Sequence, residues 1–460
     1  MDALATPATS EQRLAPSIRT LLALALPIIV SRSTQVIVGV CDAVMVADLG
    51  ESSLAATTTG AFNTFAILIL PFGITFIVSS FASQLFGKGD LAGARRYGVY
   101  GLFLALFTEL LCLAAIPVVA PTLGLLPYAP DVRALMTGYL KIRLLSGGAA
   151  VGLEALGNYY GGLGKTSHAM YANLAAMALN VAGNYAFIGG HFGAPAMGVE
   201  GAALASTLAT TIAFAGFFAY FLRDRGGAGK KGLSWREMAR MLRFGVPSGL
   251  NWFFEFAAFN VFVNIVVAGL GTTALAAMMS VMQINSVSFM PAFGIASAGA
   301  ILVGQTIGAG AKDDVPRVVK LTFFTAATWQ GLVGASYLVI PTLLFAPFVK
   351  DGPGSGELMK MGVRMLMLST AWQLLDSVAS TLAEALRAAG DTAFTLWARM
   401  VLAWLIFVPA SYITVRYFNG GDVGALIWLA AYLGLLGGVL WLRFRSGAWR
   451  RLELVEPALA

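Results

Sequence analysis

The sequence predicts an all-α membrane protein of about twelve transmembrane helices, in two six-helix lobes related by a pseudo-two-fold axis along the membrane normal. Three observations carry that prediction. The first is composition: 58% of the 460 residues are hydrophobic and 12% are charged, about half the charge of a soluble domain. The second is run length. A span needs about 20 mostly apolar residues, and such stretches follow one another from residue 18 to residue 443. The third is an internal repeat. Phe72-Gly73-Ile74 returns as Phe293-Gly294-Ile295, and at the same offset of 221 residues Gln84, Gly87 and Gly89 return as Gln305, Gly308 and Gly310. Six spans per half is an even number, so both halves insert in the same orientation, with a substrate site expected between them.

Run length and breakers place the spans near 18–47, 54–80, 94–121, 132–157, 166–189 and 198–222, then near 240–268, 274–303, 315–347, 357–385, 392–418 and 422–443. The first six form an N-lobe over residues 1–222. Residues 223–239 hold Gly226-Gly227-Ala228-Gly229-Lys230-Lys231 and read as a flexible cytoplasmic linker. Residues 240–460 form a C-lobe of spans 7–12 and a basic tail. Pro27 and Pro247 fall early in the first span of each lobe. A proline removes one helical hydrogen bond and crowds the preceding turn, so each is a candidate hinge.

The net charge of +7 is not a nucleic-acid signal. The bases collect in alternate loops: Lys88, Arg95 and Arg96; Lys165; Arg223, Arg225, Lys230, Lys231 and Arg236; Lys312 and Arg317; Arg387; and the tail. By the positive-inside rule both termini are cytoplasmic, in a multi-pass protein of the cytoplasmic (inner) membrane. Residues 1–17, with Glu11 and Arg13, show no cleavable signal. Cys41 and Cys112 fall in spans and form no disulfide framework. His168 and His191 lack acids or cysteines at metal spacing. Gly161-Gly162-Leu163-Gly164-Lys165-Thr166 lacks the gap of a P-loop. The chain is therefore read as no enzyme, with no cofactor and no metal beyond a possible Na+. Its expected partners are small molecules and the lipid bilayer, with no nucleic acid, and it is read as a monomer.

Three carboxylates stand inside apolar runs: Asp42, Glu255 and Asp376. On insertion scales an acid at mid-bilayer costs roughly 2.5–3.5 kcal/mol, so the three together cost about 8–10 kcal/mol, as much as a typical net folding stability. Such residues by default face a wet cavity, bind a cation or carry a proton. Asp376 shares a helix face with Ser369, Gln373 and Ser380, and Trp372 lies one turn before it. Glu255 follows Asn251 by four, beside Trp252. Asp42 follows Gln35 by two turns. The fifth span carries Asn173, Asn180 and Asn184, and the sixth carries Ser206 and Thr210. Carboxylate, amide and hydroxyl oxygens suit a hard cation, and buried carboxylates also take up protons. Glu154 and Glu384, near cytoplasmic ends, are expected to reach water. Glu109 lies mid-run without a polar stripe. Met279, Met282, Gln283 and Phe289 of the eighth span join Gln35, Asn251, Trp252, Trp372 and Gln373 as substrate-cavity candidates, since thioethers and aromatic faces suit lipophilic cations.

Taken together, several features resemble the MATE (multidrug and toxic compound extrusion) family over nearly the whole chain. They are Pro27 with Asp42, Asn180 with Asn184, Phe192-Gly193-Ala194-Pro195 through Gly198-Val199-Glu200-Gly201-Ala202-Ala203, Phe253-Phe254-Glu255, and Trp372-Gln373-Leu374-Leu375-Asp376. The resemblance implies a secondary active antiporter that exports lipophilic, often cationic drugs or toxic metabolites in exchange for Na+ or H+ by alternating access. It implies a first-lobe cation or proton site at Asp42, Asn180 and Asn184, to which Ser206 is added here as a neighbour. It implies a second-lobe site at Glu255 and Asp376, as in the NorM-like branch. Tyr139-Leu140-Lys141-Ile142-Arg143 looks more like the DinF-like branch. NorM-like members often place a tyrosine where Trp372 stands, and indole offers no oxygen to Na+. The alternative is a flippase for a lipid-linked precursor, whose pyrophosphate needs a cationic cavity; Arg32, Arg143 and Arg364 are the bases considered for it.

Overall fold

The computed structural model describes residues 17–224, 226, 232–349 and 354–455, and among these there is no strand. Fourteen long helices follow one another: α1 (Ile18–Ala47), α2 (Glu51–Gly87), α3 (Leu91–Ala115), α4 (Pro130–Leu144), α5 (Gly147–Gly162), α6 (Thr166–Gly189), α7 (Gly198–Arg223), α8 (Trp235–Val261), α9 (Thr272–Gly308), α10 (Val315–Val339), α11 (Ser355–Ala389), α12 (Thr392–Met400), α13 (Val408–Tyr417) and α14 (Gly421–Arg445). Two pairs act as one rod each. α4 and α5 meet across Leu145 and Ser146, and α12 passes into α13 through the π segment Val401–Phe407. α8 runs on through a second π segment, Phe262–Val267, to Leu270. Twelve helical rods result, at the positions of the twelve expected spans.

Length and hydropathy alone qualify eight of these as able to cross a membrane, or nine if the 95° bent pair Lys312–Val339 and Pro341–Phe348 is one span. The rods that fall short are α4–α5, α6 and α11. α6 carries Asn173, Asn180 and Asn184, and α11 carries Gln373 and Asp376. The polar groups that lower their hydropathy are those of the candidate sites.

The repeat is visible in the backbone. α2 and α9 are both 37 residues long. Gly50 before α2 has φ 103° and Gly271 before α9 has φ 109°, while Gly89 and Gly310 beyond them have φ 80° and 78°. Glycine adopts these left-handed angles without steric cost, which is why the same glycines recur in both halves.

The chain divides into two compact units. The first is Val30–Gly249; the second joins the residues up to Ile29 to those from Leu250 onward. α1 and α8 each pass from one unit to the other two residues after a proline, Pro27 in α1 and Pro247 in α8.

In the first unit, buried Val46, Leu68, Met136, Tyr139, Val151 and Val199 form the core. Two adjacent arginines of α3 hold the chain on both sides of the linker. Arg95 donates to the carbonyls of Phe221 (2.7 Å) and Asp224 (2.5 Å) at the end of α7, satisfying carbonyls that a helix end leaves open. Arg96 grips both oxygens of Glu237 at 2.8 Å, and Tyr100 donates to Glu237 at 2.8 Å. α8 already begins at Trp235, inside the stretch read as linker, because the Ser234 hydroxyl accepts the Arg236 N–H at 3.3 Å as a helix cap. Arg225 and Gly227–Lys231 of that stretch, and Glu11 and Arg13, lie outside the described residues. In the second unit the core centres on Phe262, Phe407 and Tyr432, with ring centroids 4.9 Å and 5.1 Å apart in sequence. The tail folds back on this unit: Lys312 donates to the Arg450 carbonyl at 2.7 Å and Trp449 stacks on Phe444.

Glu109 has a structural role. Its carboxylate, on α3, accepts the Gly148 N–H at 2.5 Å in the first turn of α5, where a helix presents open donors and favours negative charge. A Cβ on Gly148 would meet the Glu109 Cβ at 2.5 Å, so the glycine permits the approach. Glu109→Ala should lower stability by about 1–3 kcal/mol by orphaning a buried donor, and Glu109→Gln by less. Melting of the purified variants checks this ranking; equal losses would remove the capping role.

Candidate cation-coupling sites

The first site lies within the first unit, on α1, α6 and α7. α6 ends at Gly190, which has left-handed φ of 76° and closes the helix. The short turn that follows returns the chain as α7, so the two helices run side by side. Asn180 and Asn184, four apart, share one face of α6. Asn184 donates to Asp42 Oδ1 at 2.5 Å and Ser206 donates to Asp42 Oδ2 at 3.3 Å. Asn180 donates to Ser206 Oγ at 2.8 Å, and Asn184 also donates to Asn180 Oδ1 at 3.3 Å. All four side chains are buried, Asn184 completely. Asn184 Oδ1 is a buried acceptor without a donor, which a proton on the carboxyl or a bound Na+ would satisfy. Arg143 acts on Asp42 as a neighbouring charge while donating to Ser146 Oγ at 3.5 Å. Asn173 and Thr210 stand apart. Asn173 donates to Ser31 Oγ at 2.9 Å and ties α6 to α1, whereas Thr210 donates to the Ser206 carbonyl at 2.8 Å within α7.

The second site lies within the second unit. Asp376 of α11 accepts from Ser380 at 3.0 Å, and the Gln330 amide of α10 approaches it. Glu255 of α8 is ion-paired with Arg399 of α12. Tyr432 of α14 stands within charge range of both Arg399 and Asp376. The Ser369–Ser380 stripe divides along its length. Gln373 donates to Asn285 and accepts from Ser288 (2.9 Å), and Ser369 donates to Asn285 at 3.3 Å; these three bonds cement α11 to α9. Only Asp376 and Ser380 form the site.

Of the substrate-cavity candidates, Gln35, Met279, Gln283 and Phe289 are exposed and Asn251, Trp252 and Met282 are half-buried. Trp372 and Gln373 are 6% and 4% exposed and sit in helix packing. Asn251 Oδ1 is buried without a partner one turn before Glu255. Two expectations are corrected. Glu154 is not free in water: its side chain is 15% exposed, pairs with Arg32 at 2.5 Å and accepts from Asn158 at 3.2 Å. Glu384 is buried against Arg387. The bases considered from sequence omitted Arg399, which is 7% exposed. It interrupts the apolar run Phe394–Phe407, and the cost argument applied to the acids flags it equally.

Twelve helical rods with acid-centred polar clusters inside two compact units define a multi-pass membrane transporter. The family model MatE matches residues 27–186 and 247–413, one segment in each half, and the chain belongs to this family of transporters, which are not enzymes. It is similar to the "Probable multidrug resistance protein NorM" of Thermotoga maritima, at 28% identity over 443 residues covering 95% of this chain and 94% of that one. It is also similar to the "Multidrug resistance protein MdtK" of Yersinia enterocolitica, at 25% identity, covering 93% and 94%. Its fold is that of a MATE family transporter solved in an outward-facing conformation, with a TM-score of 0.86 at 21% identity over 97% of this chain and 100% of that one. A MOP superfamily transporter from Pyrococcus furiosus has a TM-score of 0.85 at 19% identity, with the same coverage.

The hydrogen bonds rank the residues around Asp42. Asn184→Ala removes the 2.5 Å donor and should cost about 1.5–3 kcal/mol of stability, as for a bond to a charged group, whereas Ser206→Ala removes a long bond and should cost about 1 kcal/mol or less. Chemical or thermal unfolding of the two variants in detergent measures the order. A costlier Ser206→Ala would mean that Asp42 is held mainly from α7.

Proposed function

We propose that this chain is a secondary active multidrug efflux antiporter of the cytoplasmic membrane, exporting lipophilic, often cationic compounds in exchange for Na+ or H+ by alternating access. The observation that carries the reading is Asp42: a carboxylate buried among apolar helices whose direct partners are amide and hydroxyl groups. An acid with neutral partners is open to a proton or a cation. The printed names of the NorM and MdtK relatives support multidrug compounds as the substrate class. The proposed coupling residues are Asp42, Asn180, Asn184 and Ser206 in one site and Asp376 in the other, where Glu255 is ion-paired with Arg399. Both termini are proposed to be cytoplasmic by the positive-inside rule. The repeats over 1–222 and 240–460, joined by 223–239, are the proposed alternating lobes of a monomer.

The flippase alternative is less well supported. Of the bases considered for a pyrophosphate cavity, Arg32 is paired with Glu154 and Arg364 with Asp422 at 2.6 Å. Two of the three charges are thus already neutralised.

The prolines offer the link from ion to shape. Pro27 and Asp42 share α1, about four turns apart. A bound proton or Na+ shifts the helix only through its different affinity for the two shapes. Pro27→Ala, and by the repeat Pro247→Ala, should therefore change the transport rate and leave cation affinity nearly unaltered. Uptake of a cationic dye into proteoliposomes, with pH and Na+ gradients imposed separately, tests the reading. Folded Asp42→Asn should lose gradient-driven dye movement by at least about tenfold, the equivalent of ~1.4 kcal/mol. Gradient-driven transport at the wild-type rate by folded Asp42→Asn would falsify the coupling role.

A further inference from the structure

The two sites differ in one respect that the family likeness does not address: in the second an acid is directly ion-paired with a base. We infer that Arg399 is the resident counter-cation of Glu255, its guanidinium holding the place that a sodium ion would take on that carboxylate and leaving Asp376 as the acid of the second unit open to exchange. The inference rests on the antiporter reading for its meaning and on geometry for its content. Arg399 Nη1 is bonded to Glu255 Oε2. The Glu255 side chain is 35% exposed and that of Arg399 only 9%, so the acid has an open side while its partner is enclosed.

The enclosure is built from both neighbouring helices. The π segment Val401–Phe407 begins two residues after Arg399. From it Trp404 donates to the Phe254 carbonyl at 3.3 Å, directly beside Glu255. Phe407 packs on Phe262 of the other π segment, 4.9 Å between centroids. The rod that carries Arg399 is thereby pinned to that of Glu255 by two contacts just beyond Arg399. The charged and titratable groups acting on Arg399 are Glu255 from α8 and Tyr432 from α14, and Tyr432 in turn lies within charge range of Asp376 from α11. Asp376 has neutral partners, Ser380 and Gln330.

The consequence follows from charge. A sodium ion on Glu255 would lie about 4 Å from a fixed guanidinium, and at an effective dielectric of about 20 that repulsion lowers occupancy by on the order of a thousandfold. Protonating Glu255 is opposed as well, because it strands a buried, unpaired guanidinium. In the first unit Arg143 acts on Asp42 as a neighbouring charge but makes no ion pair with it; its Nη1 reaches Ser146 Oγ at 3.5 Å.

Equilibrium binding of radiolabelled sodium to the purified full chain in detergent tests this. Wild type and Glu255→Gln should bind the same amount. Arg399→Gln should gain at least about tenfold in affinity for Na+, and Glu255→Gln/Arg399→Gln should lose that gain. Wild-type binding that depends on Glu255, or a folded Arg399→Gln with no gain, overturns the inference. Where Arg399→Gln does not fold, melting of the double variant decides. Recovery of most of the stability lost in each single variant supports the pair, and a double variant no more stable than either single overturns it. Dye transport by the wild type is read separately; its absence removes the antiporter reading while the sodium and melting results still decide the role of Arg399.

Discussion

Hydrocarbon offers no partner to a charge, so every acid carried into an apolar helix has to bring its own. The partners here are of three kinds. Glu109 takes a backbone N–H at a helix start. Glu154, Glu255 and Glu384 take the guanidinium groups of Arg32, Arg399 and Arg387. Asp42 and Asp376 take neutral donors: Asn184 and Ser206 for the one, Ser380 for the other. The placement of whole helices follows. α6 and α7 must lie together to present Asn184 and Ser206 to one carboxylate, and α12 must lie on α8 to bring Arg399 to Glu255.

The kind of partner decides what an acid can do. A carboxylate closed by a guanidinium is electrically complete, and removing either member leaves an uncompensated buried charge. A carboxylate held by hydroxyl and amide groups keeps its charge open, and a proton or cation arriving there changes the local balance. That change acts on conformation only as far as the two shapes bind the ion differently. α1 and α8 are the helices on which this matters. Each carries an acid, Asp42 or Glu255, each contains a proline, and each changes unit two residues after that proline.

Much of this was legible in the sequence. Apolar run length gave the twelve rods, and the glycine pairs at the common offset gave the repeated turns, because only glycine occupies those φ angles freely. The expense of intramembrane acids pointed to Asp42, Glu255 and Asp376, and the i,i+4 spacing put Asn180 and Asn184 on one face. What sequence left out were the partners across helices. The Ser369–Ser380 face is one stripe along α11, but over its ~16 Å length it meets α9 first and Gln330 of α10 later, and periodicity along one helix does not name its neighbours. Glu154 and Glu384 read as reaching water from their place near cytoplasmic ends, and that place does not show the bases they meet, Arg32 and Arg387. Arg399 lies in an apolar run like the acids, but spacing along α12 does not name Glu255 across the helix boundary as its partner.

Infrared difference spectroscopy of the protein in lipid, recorded on adding a cationic substrate, tests the account most directly, since it reads the carboxyl groups that change protonation or cation contact. The account predicts carboxyl bands that vanish in Asp42→Asn and in Asp376→Asn and that are unaffected by Glu154→Gln or Glu384→Gln in folded protein. A substrate-induced carboxyl signal that persists when both Asp42 and Asp376 are replaced would contradict it, because exchange would then occur at an acid that the structure holds closed.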